Sequence, residues 1–353
     1  MLSIFDEYPI HQTSETIDRP AVSDPNVYER FYFTFFEKSG AAAVGLTLTL
    51  HPNRGLVDAA FGVTTGRRYE SLMMSDVLTS ERENISCGPL RLEILEPMRH
   101  LRITIDGHTD FSASIDYRAT SPAIREDRVT RSRERRVVQD RTRYAQCGSV
   151  TGTVVGPYGE LVLDENNWTA VRDHSWGIWD GPKQHTTDIR PAAPSFFWLI
   201  GNVGSTAVQA VTHAEPDGTP YGEYAATCPL LSPTIDTVGP GTMQRNCEVK
   251  VLGISYMPGT RYVADAQLAL SGPSSEQVIV LKSLCVVHPH SIGYSHPEWR
   301  SGSIPEQLPS VRRFSGNLDD FDLSDPQHHR ALQGVSIECE GRIGYGVIDQ
   351  FSQ

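Results

Sequence analysis

The chain has 353 residues, a formal net charge of -12 and 39% hydrophobic residues. That length allows two domains with a core each, and the acidic balance argues against nucleic acid or an anionic membrane as partner. No apolar run approaches the roughly 18 residues of a spanning helix, so no membrane span is predicted.

Residues 1–25 are polar, contain Pro20 and Pro25, and read as an irregular lead-in. Met1–Tyr8 carries acids and no apolar run, so no secretory signal is expected. Cys87, Cys147, Cys228, Cys247, Cys285 and Cys339 lie far apart and form no C-x-x-C. They read as reduced thiols in a cytoplasmic protein. Phe31–Phe36 predicts an aromatic strand. Ala43–Leu50 alternates, with Val44, Leu46, Leu48 and Leu50 on one face, and H-P-N-R-G turns it into Leu56–Val63. Leu90–Leu95, Leu101–Ile105 and Phe111–Tyr117 predict three further strands.

Ser121–Tyr144 breaks the pattern with Arg125, Arg128, Arg131, Arg133, Arg135, Arg136, Arg141 and Arg143. Glu126, Asp127, Glu134 and Asp140 interleave with them, which favours a solvated linker, partly helical in one reading, over an anion or nucleic-acid patch. Beyond it, Val150–Val155 and Glu160–Leu163 predict a hairpin. Trp168–Gly177 predicts a strand, and a turn-rich stretch follows to Pro194. Phe196–Val203, Val208–His213, Tyr221–Thr227, Cys247–Ile254, Tyr262–Leu270 and Val278–Val287 continue a meander. Residues 289–330 read as irregular, and Val335–Glu340 and Gly344–Phe351 close the chain. Short strands punctuated by Gly and Pro, with almost no helical periodicity, predict an all-β protein of antiparallel barrels or sandwiches.

The densest run of chemically capable side chains is Trp168–Gly177, W-T-A-V-R-D-H-S-W-G. As a strand it places Trp168, Ala170, Arg172, His174 and Trp176 on one face, and Thr169, Val171, Asp173 and Ser175 on the other. The first set suits the wall of a pocket that holds something apolar and does one polar thing to it. Arg172 to Gly177, R-D-H-S-W-G, resembles the signature of the AttH/carotenoid 1,2-hydratase-like group of lipocalin-like proteins. Asn26–Phe61 resembles that group's N-terminal strands, and Gly344–Phe351 its closing strand. The resemblance implies two consecutive lipocalin-like β-domains, placed at 26–120 and 145–353 around a linker at 121–144. Hydratase-like members are expected to carry a Tyr and an acid on the strand after H-S-W-G. Pro194-Ser195-Phe196-Phe197-Trp198 carries no carboxylate there.

His174 is the first catalytic candidate, because an imidazole gives or takes a proton near neutrality. It reads equally as a buried structural histidine. In G-Y-G-V-I-D-Q-F, alternation groups Tyr345, Val347, Asp349 and Phe351. An inward Asp349 needs a partner, and the expectation is that Arg172 or His174 supplies it. The Tyr345 hydroxyl could donate to a developing oxyanion. Trp176, Trp168, Asp173, Trp198 and Phe197 are the substrate-binding candidates. Phe197 and Trp198 read equally well as barrel core, and Asp173 as a residue that orders the local backbone.

His288, Pro289, His290 and His296 form one local His cluster, and His328-His329 another. No acid or Cys stands at a helpful spacing, so no metal is expected. There is no G-x-S-x-G, P-loop or strand-to-helix G-x-G-x-x-G, and no cofactor is expected. The reading that fits best is a cofactor-independent lyase/hydratase or isomerase/cyclase. It would act by acid–base chemistry on a terpenoid, polyketide-like or aromatic molecule. The alternative is a lipocalin-like carrier of a hydrophobic metabolite. Homodimer formation stays open, as does whether the pocket lies within one barrel or between the two.

Overall fold

The computed structural model describes residues 7–9, 19–133, 135–179, 195–232, 244–246, 248–272, 276–294, 296–325 and 328–351. Cys247 and the stretch before Pro194 fall outside them. The described residues form two curled antiparallel sheets, one nearly closed as a barrel. None of their helices is long and apolar enough to cross a membrane.

The first sheet runs, in spatial order, through Ser310–Asn317, Arg68–Val77, Leu56–Thr65, Ala42–His51, Val27–Glu37, Trp168–Trp179, Arg136–Gly156, Ser112–Ala119, His100–Ile105, Leu90–Glu96 and Asn84–Cys87. The second runs through Gln244–Asn246, Pro220–Pro229, Thr206–Ala214, Ser195–Val203, Arg342–Phe351, Ala331–Cys339, Glu276–Val287, Val263–Ser271 and Glu248–Tyr256. The hairpin at H-P-N-R-G forms as expected, through a 3-10 turn at Pro52–Arg54 that Gly55 ends in the left-handed region.

Most of the Arg-rich stretch is strand, and none of its described residues is helical. Val129–Arg133 folds back on Arg136–Gly156, a strand that continues deep into the first sheet. β-Branched residues at Val129, Thr130, Val137, Val138 and Thr142 favour the extended backbone, and cross-strand acids take the charge, as Asp140 does for Arg128. The expected irregular stretch 289–330 contains Ser310–Asn317, which pairs with Arg68–Val77 at the edge of the first sheet. Arg68–Val77 itself carried no clean alternation. The sheets therefore do not divide at the expected domain boundaries. The signature strand Trp168–Trp179 belongs to the first sheet, between Val27–Glu37 and Arg136–Gly156, and the second sheet begins at Ser195.

Three large apolar clusters and three small ones result. One fills the first sheet, from Phe31 and Leu46 to Ile103 and Trp168. One fills the second sheet, around Leu199, Leu268 and Ile337. The third lies between the sheets and joins Tyr32, Val171 and Cys147 to Trp198, Val211 and Val347. The signature strand is thus covered on both faces.

Gly177 of the signature lies opposite Arg141, with φ 132° and room for no side chain, since a Cβ would stand 1.9 Å from the Asp140 carbonyl oxygen. Its absence of a side chain lets the Arg-rich strand pack close. Gly177→Ala is expected to lower stability by roughly 2–3 kcal/mol, measured by urea unfolding.

Candidate active site between the two sheets

The inward face of the signature strand meets the first core. Arg172 is fully buried, and its Nη1 and Nη2 each donate to a carboxylate oxygen of Glu7 at 2.7 Å. Its Nε donates to Gln146 Oε1 at 3.0 Å, and Nη2 also reaches the Tyr144 hydroxyl at 3.2 Å. Burial pulls the guanidinium pKa down, but Glu7, with Tyr144 and Tyr117, outweighs it and holds the pKa above the ordinary value. His174 is also fully buried. Its Nε2 lies 2.8 Å from Glu29 Oε1 and its Nδ1 3.0 Å from the Tyr144 hydroxyl, and its ring stacks on Phe31. Trp176 packs edge-on against both His174 and Tyr144. Beyond it, Trp176 and Glu29 line a cavity of about 170 Å³ whose other walls include Tyr28, Leu50 and Ile178.

The opposite face meets the second sheet. Asp173 stands beside Tyr32 and Ala145 in the strand register. Its Oδ2 lies 3.8 Å from Arg143 Nη1, while its Oδ1 is buried with no hydrogen-bond partner. Burial pushes the carboxyl pKa up to about 6, with Arg143 opposing and Glu126 adding to the rise. Glu126 is the hub next door. Its Oε1 accepts at 2.7 Å from Arg143 Nε, from Trp198 Nε1 and from Gln209 Nε2, the last two on the second sheet. The Arg143 guanidinium lies over the Trp198 ring at 4.9 Å. Nearer the edge, Arg330 donates to both oxygens of Asp349 at 3.1 and 2.5 Å and lies over the Tyr294 ring at 3.8 Å. This layer holds three carboxylates, several cations and aromatic faces, and at its edge Arg330 keeps 22% of its side chain exposed.

The predicted residues therefore separate. Arg172, His174 and Trp176 are together inside the first sheet. Asp173, Trp198 and Asp349 are together between the sheets, where register places Trp198 opposite Asp349. The expected contact of Asp349 with Arg172 or His174 does not form, because those two point into the other layer and Arg330 takes both Asp349 oxygens. Tyr345 shares the face of Asp349 but lies four residues along the strand, roughly 13 Å away, under Lys38. Trp168 and Phe197 are core residues of the first and second sheets, neither in the layer between them. Arg143, Glu126, Arg330, Tyr294 and Glu7 were missed. The signal for Arg143 was present: Arg143, Ala145 and Cys147 alternate with Tyr144 and Gln146, as in a strand buried on both sides.

The histidine cluster forms: the His290 ring lies 5.1 Å from His288 and 5.5 Å from both His296 and His328. Nδ1 of His288 accepts from the His290 backbone, and Nδ1 of His296 from Glu298 and Trp299. That bond occupies the one lone pair of each neutral ring. Among the described residues no group of three or more His, Cys, Asp or Glu is arranged to hold a metal.

Two stability outcomes follow from these faces. Glu7→Gln leaves a buried guanidinium without its counter-charge and is expected to cost roughly 3–5 kcal/mol. The pair change Glu7→Leu with Arg172→Met should cost much less, both read by urea unfolding. For Asp173 the folded pKa, about 6, lies above the unfolded value near 4. Its contribution to stability is present below about pH 4 and is lost as pH rises through 6. Asp173→Asn should match the parent protein below about pH 4 and become more stable than it by roughly 1–3 kcal/mol above pH 6.

No curated protein matches this chain in sequence. Among solved structures, an AttH-like protein of Nitrosomonas europaea superposes with a TM-score of 0.57 at 12% identity, over 96% of this chain and 99% of that one. Kievitone hydratase from Nectria haematococca gives 0.50 at 11% identity, over 98% of each chain. CghA gives 0.50 at 11% identity, over 93% of this chain and 88% of that one. These are likenesses of fold, and they bear out the AttH-like architecture implied by R-D-H-S-W-G. One family profile matches in sequence, over residues 2–352. That span is nearly the whole chain, and the protein belongs to the family of unknown function DUF8625.

Proposed function

We propose that the layer between the sheets is the active site of a cofactor-independent enzyme that works by acid–base chemistry on a hydrophobic small molecule. The observation that carries this reading is Asp173: a buried carboxyl with one oxygen unpartnered and a pKa of about 6. An enzyme keeps such a group, at a cost in stability, where a proton has to be given or taken near neutral pH. Trp198, Tyr32 and Tyr294 supply aromatic faces for an apolar substrate. Arg143 stands 3.8 Å from Asp173 and can steady the carboxylate left after proton transfer. Burial raises the hydroxyl pKa of Tyr32 and Tyr294, so both stay protonated hydrogen-bond donors.

The reaction class is proton transfer to or from carbon or oxygen: hydration, dehydration, isomerisation or cyclisation. It needs a proton, a shaped pocket and, for hydration, water. The occurrence of a hydratase on this fold makes hydration the first reaction to assay, an argument by analogy. Arg172 and His174 act in this reading as positioning residues. Their buried bonds fix the strand from which Asp173 projects on the other side.

The test uses the small molecules that co-purify with the protein, incubated with it in deuterated water and analysed by mass spectrometry. Wild type is expected to place deuterium at one carbon. Asp173→Asn should lower that rate at least a hundredfold while the ligand stays bound. Because the acid must be protonated, the wild-type rate should fall tenfold per pH unit above about 6. Unchanged exchange in Asp173→Asn would leave a carrier as the better reading.

A further inference from the structure

We propose that this layer selects an organic anion, an apolar molecule bearing a carboxylate, enolate or phenolate, and that Arg141 is the residue that holds the charge. The inference rests on the reading of the layer as the ligand site and adds the class of ligand.

The charged groups facing the layer are Arg30, Arg141 and Arg143 from the first sheet, Arg330 on the second, and the carboxylates Glu126, Asp173 and Asp349. Most are closed on one another. Asp349 has both oxygens on Arg330. Glu126 Oε1 is shared by Arg143, Trp198 and Gln209. Arg30 donates to Thr49 Oγ1 at 3.1 Å and packs against the rings of Tyr28, Trp179 and Tyr294. Of the buried polar atoms left without a hydrogen-bond partner among the described residues, three lie together here: Arg141 Nη2, Asp173 Oδ1 and Gln209 Oε1. All three surround the Arg143–Glu126 pair. The nearest carboxylate oxygen to Arg141 Nη2 is Glu126 Oε2, at 3.7 Å, too far for a hydrogen bond.

Four guanidiniums against three carboxylates, one of them readily protonated, leave the layer positive. Neighbouring groups register that potential. Burial, then Arg141 and Arg143, push the His213 pKa down to about 3. Burial and Arg143 lower that of Arg141 itself. A buried donor with no acceptor costs free energy that a native fold rarely leaves unrelieved. A ligand anion on Arg141 Nη2 relieves it, and a hydroxyl on the same ligand can donate to Gln209 Oε1. Arg141 keeps 15% of its side chain exposed, which puts it at the edge of the layer, with Nη2 itself buried.

The experiment is titration calorimetry of the full chain at neutral pH with two probes of equal shape, naphthoate and naphthamide. The anion is expected to bind at least tenfold more tightly than the amide in wild type. Arg141→Met should abolish that preference while leaving the amide affinity within twofold. Arg141→Lys, which keeps the charge, should retain part of it, and the wild-type preference should shrink with added salt. Equal affinities for the two probes in wild type, or a preference that survives Arg141→Met, would overturn this inference alone. If neither probe binds, the layer is no ligand site and the proposed function fails with it.

Discussion

A strand covered on both faces cannot leave a polar side chain to water, and that constraint governs this molecule. In R-D-H three consecutive polar residues sit where two apolar layers meet. Alternation sends Arg172 and His174 one way and Asp173 the other, so each layer must satisfy its own share. The inner layer does so completely. Glu7 supplies the counter-charge for Arg172, and Tyr144 links Arg172 to His174 through a single hydroxyl. Removing any member strands a partner in a medium that cannot solvate it. A closed network of this kind is rigid, and rigidity is what a neighbouring reactive group needs.

The outer layer is left unfinished. Glu126 could have been shared evenly among Arg141, Arg143 and Asp173's surroundings, yet one of its oxygens carries three donors. Arg141 and Asp173 are consequently short of partners while standing within one shell of each other. A fold selected only for stability would close that gap with apolar side chains, since a half-satisfied buried polar network is worse than none. Its persistence beside a saturated network on the same strand is the physical argument behind the proposal that chemistry sits between the sheets rather than inside the first one.

Much of this was legible in the sequence. The two faces of Trp168–Gly177 follow from alternation alone, as does the grouping of Asp349 with Tyr345 on one face of the last strand. Which layer each face would meet was not legible, because period two fixes sides without naming what covers them. Charge alone therefore matches Asp349 to Arg172 or His174, whereas Arg330, next to the paired strand Ala331–Cys339, takes both its oxygens. The stretch 121–144 misled for a related reason. A high density of charge usually marks a solvated segment, but here Arg143 stands where the strand becomes buried on both sides, with half-buried Arg141 two positions before it. Glu7 could not have been found: nothing local in a polar lead-in shows that one carboxylate will reach a guanidinium on a strand 165 residues away.

The placement of the site also bears on why the signature is compact. Gly177 brings the strand Arg136–Gly156 close enough for Arg141 and Arg143 to stand beside the Asp173 face. Trp176 packs against the inner His174–Tyr144 pair. Arg172 and His174 hold the strand, and Asp173 projects from it. The motif thus reads as one device, a rigid beam with an acid on its far side, and the proposed chemistry falls on the residue whose neighbours on either side are fully buried and bound.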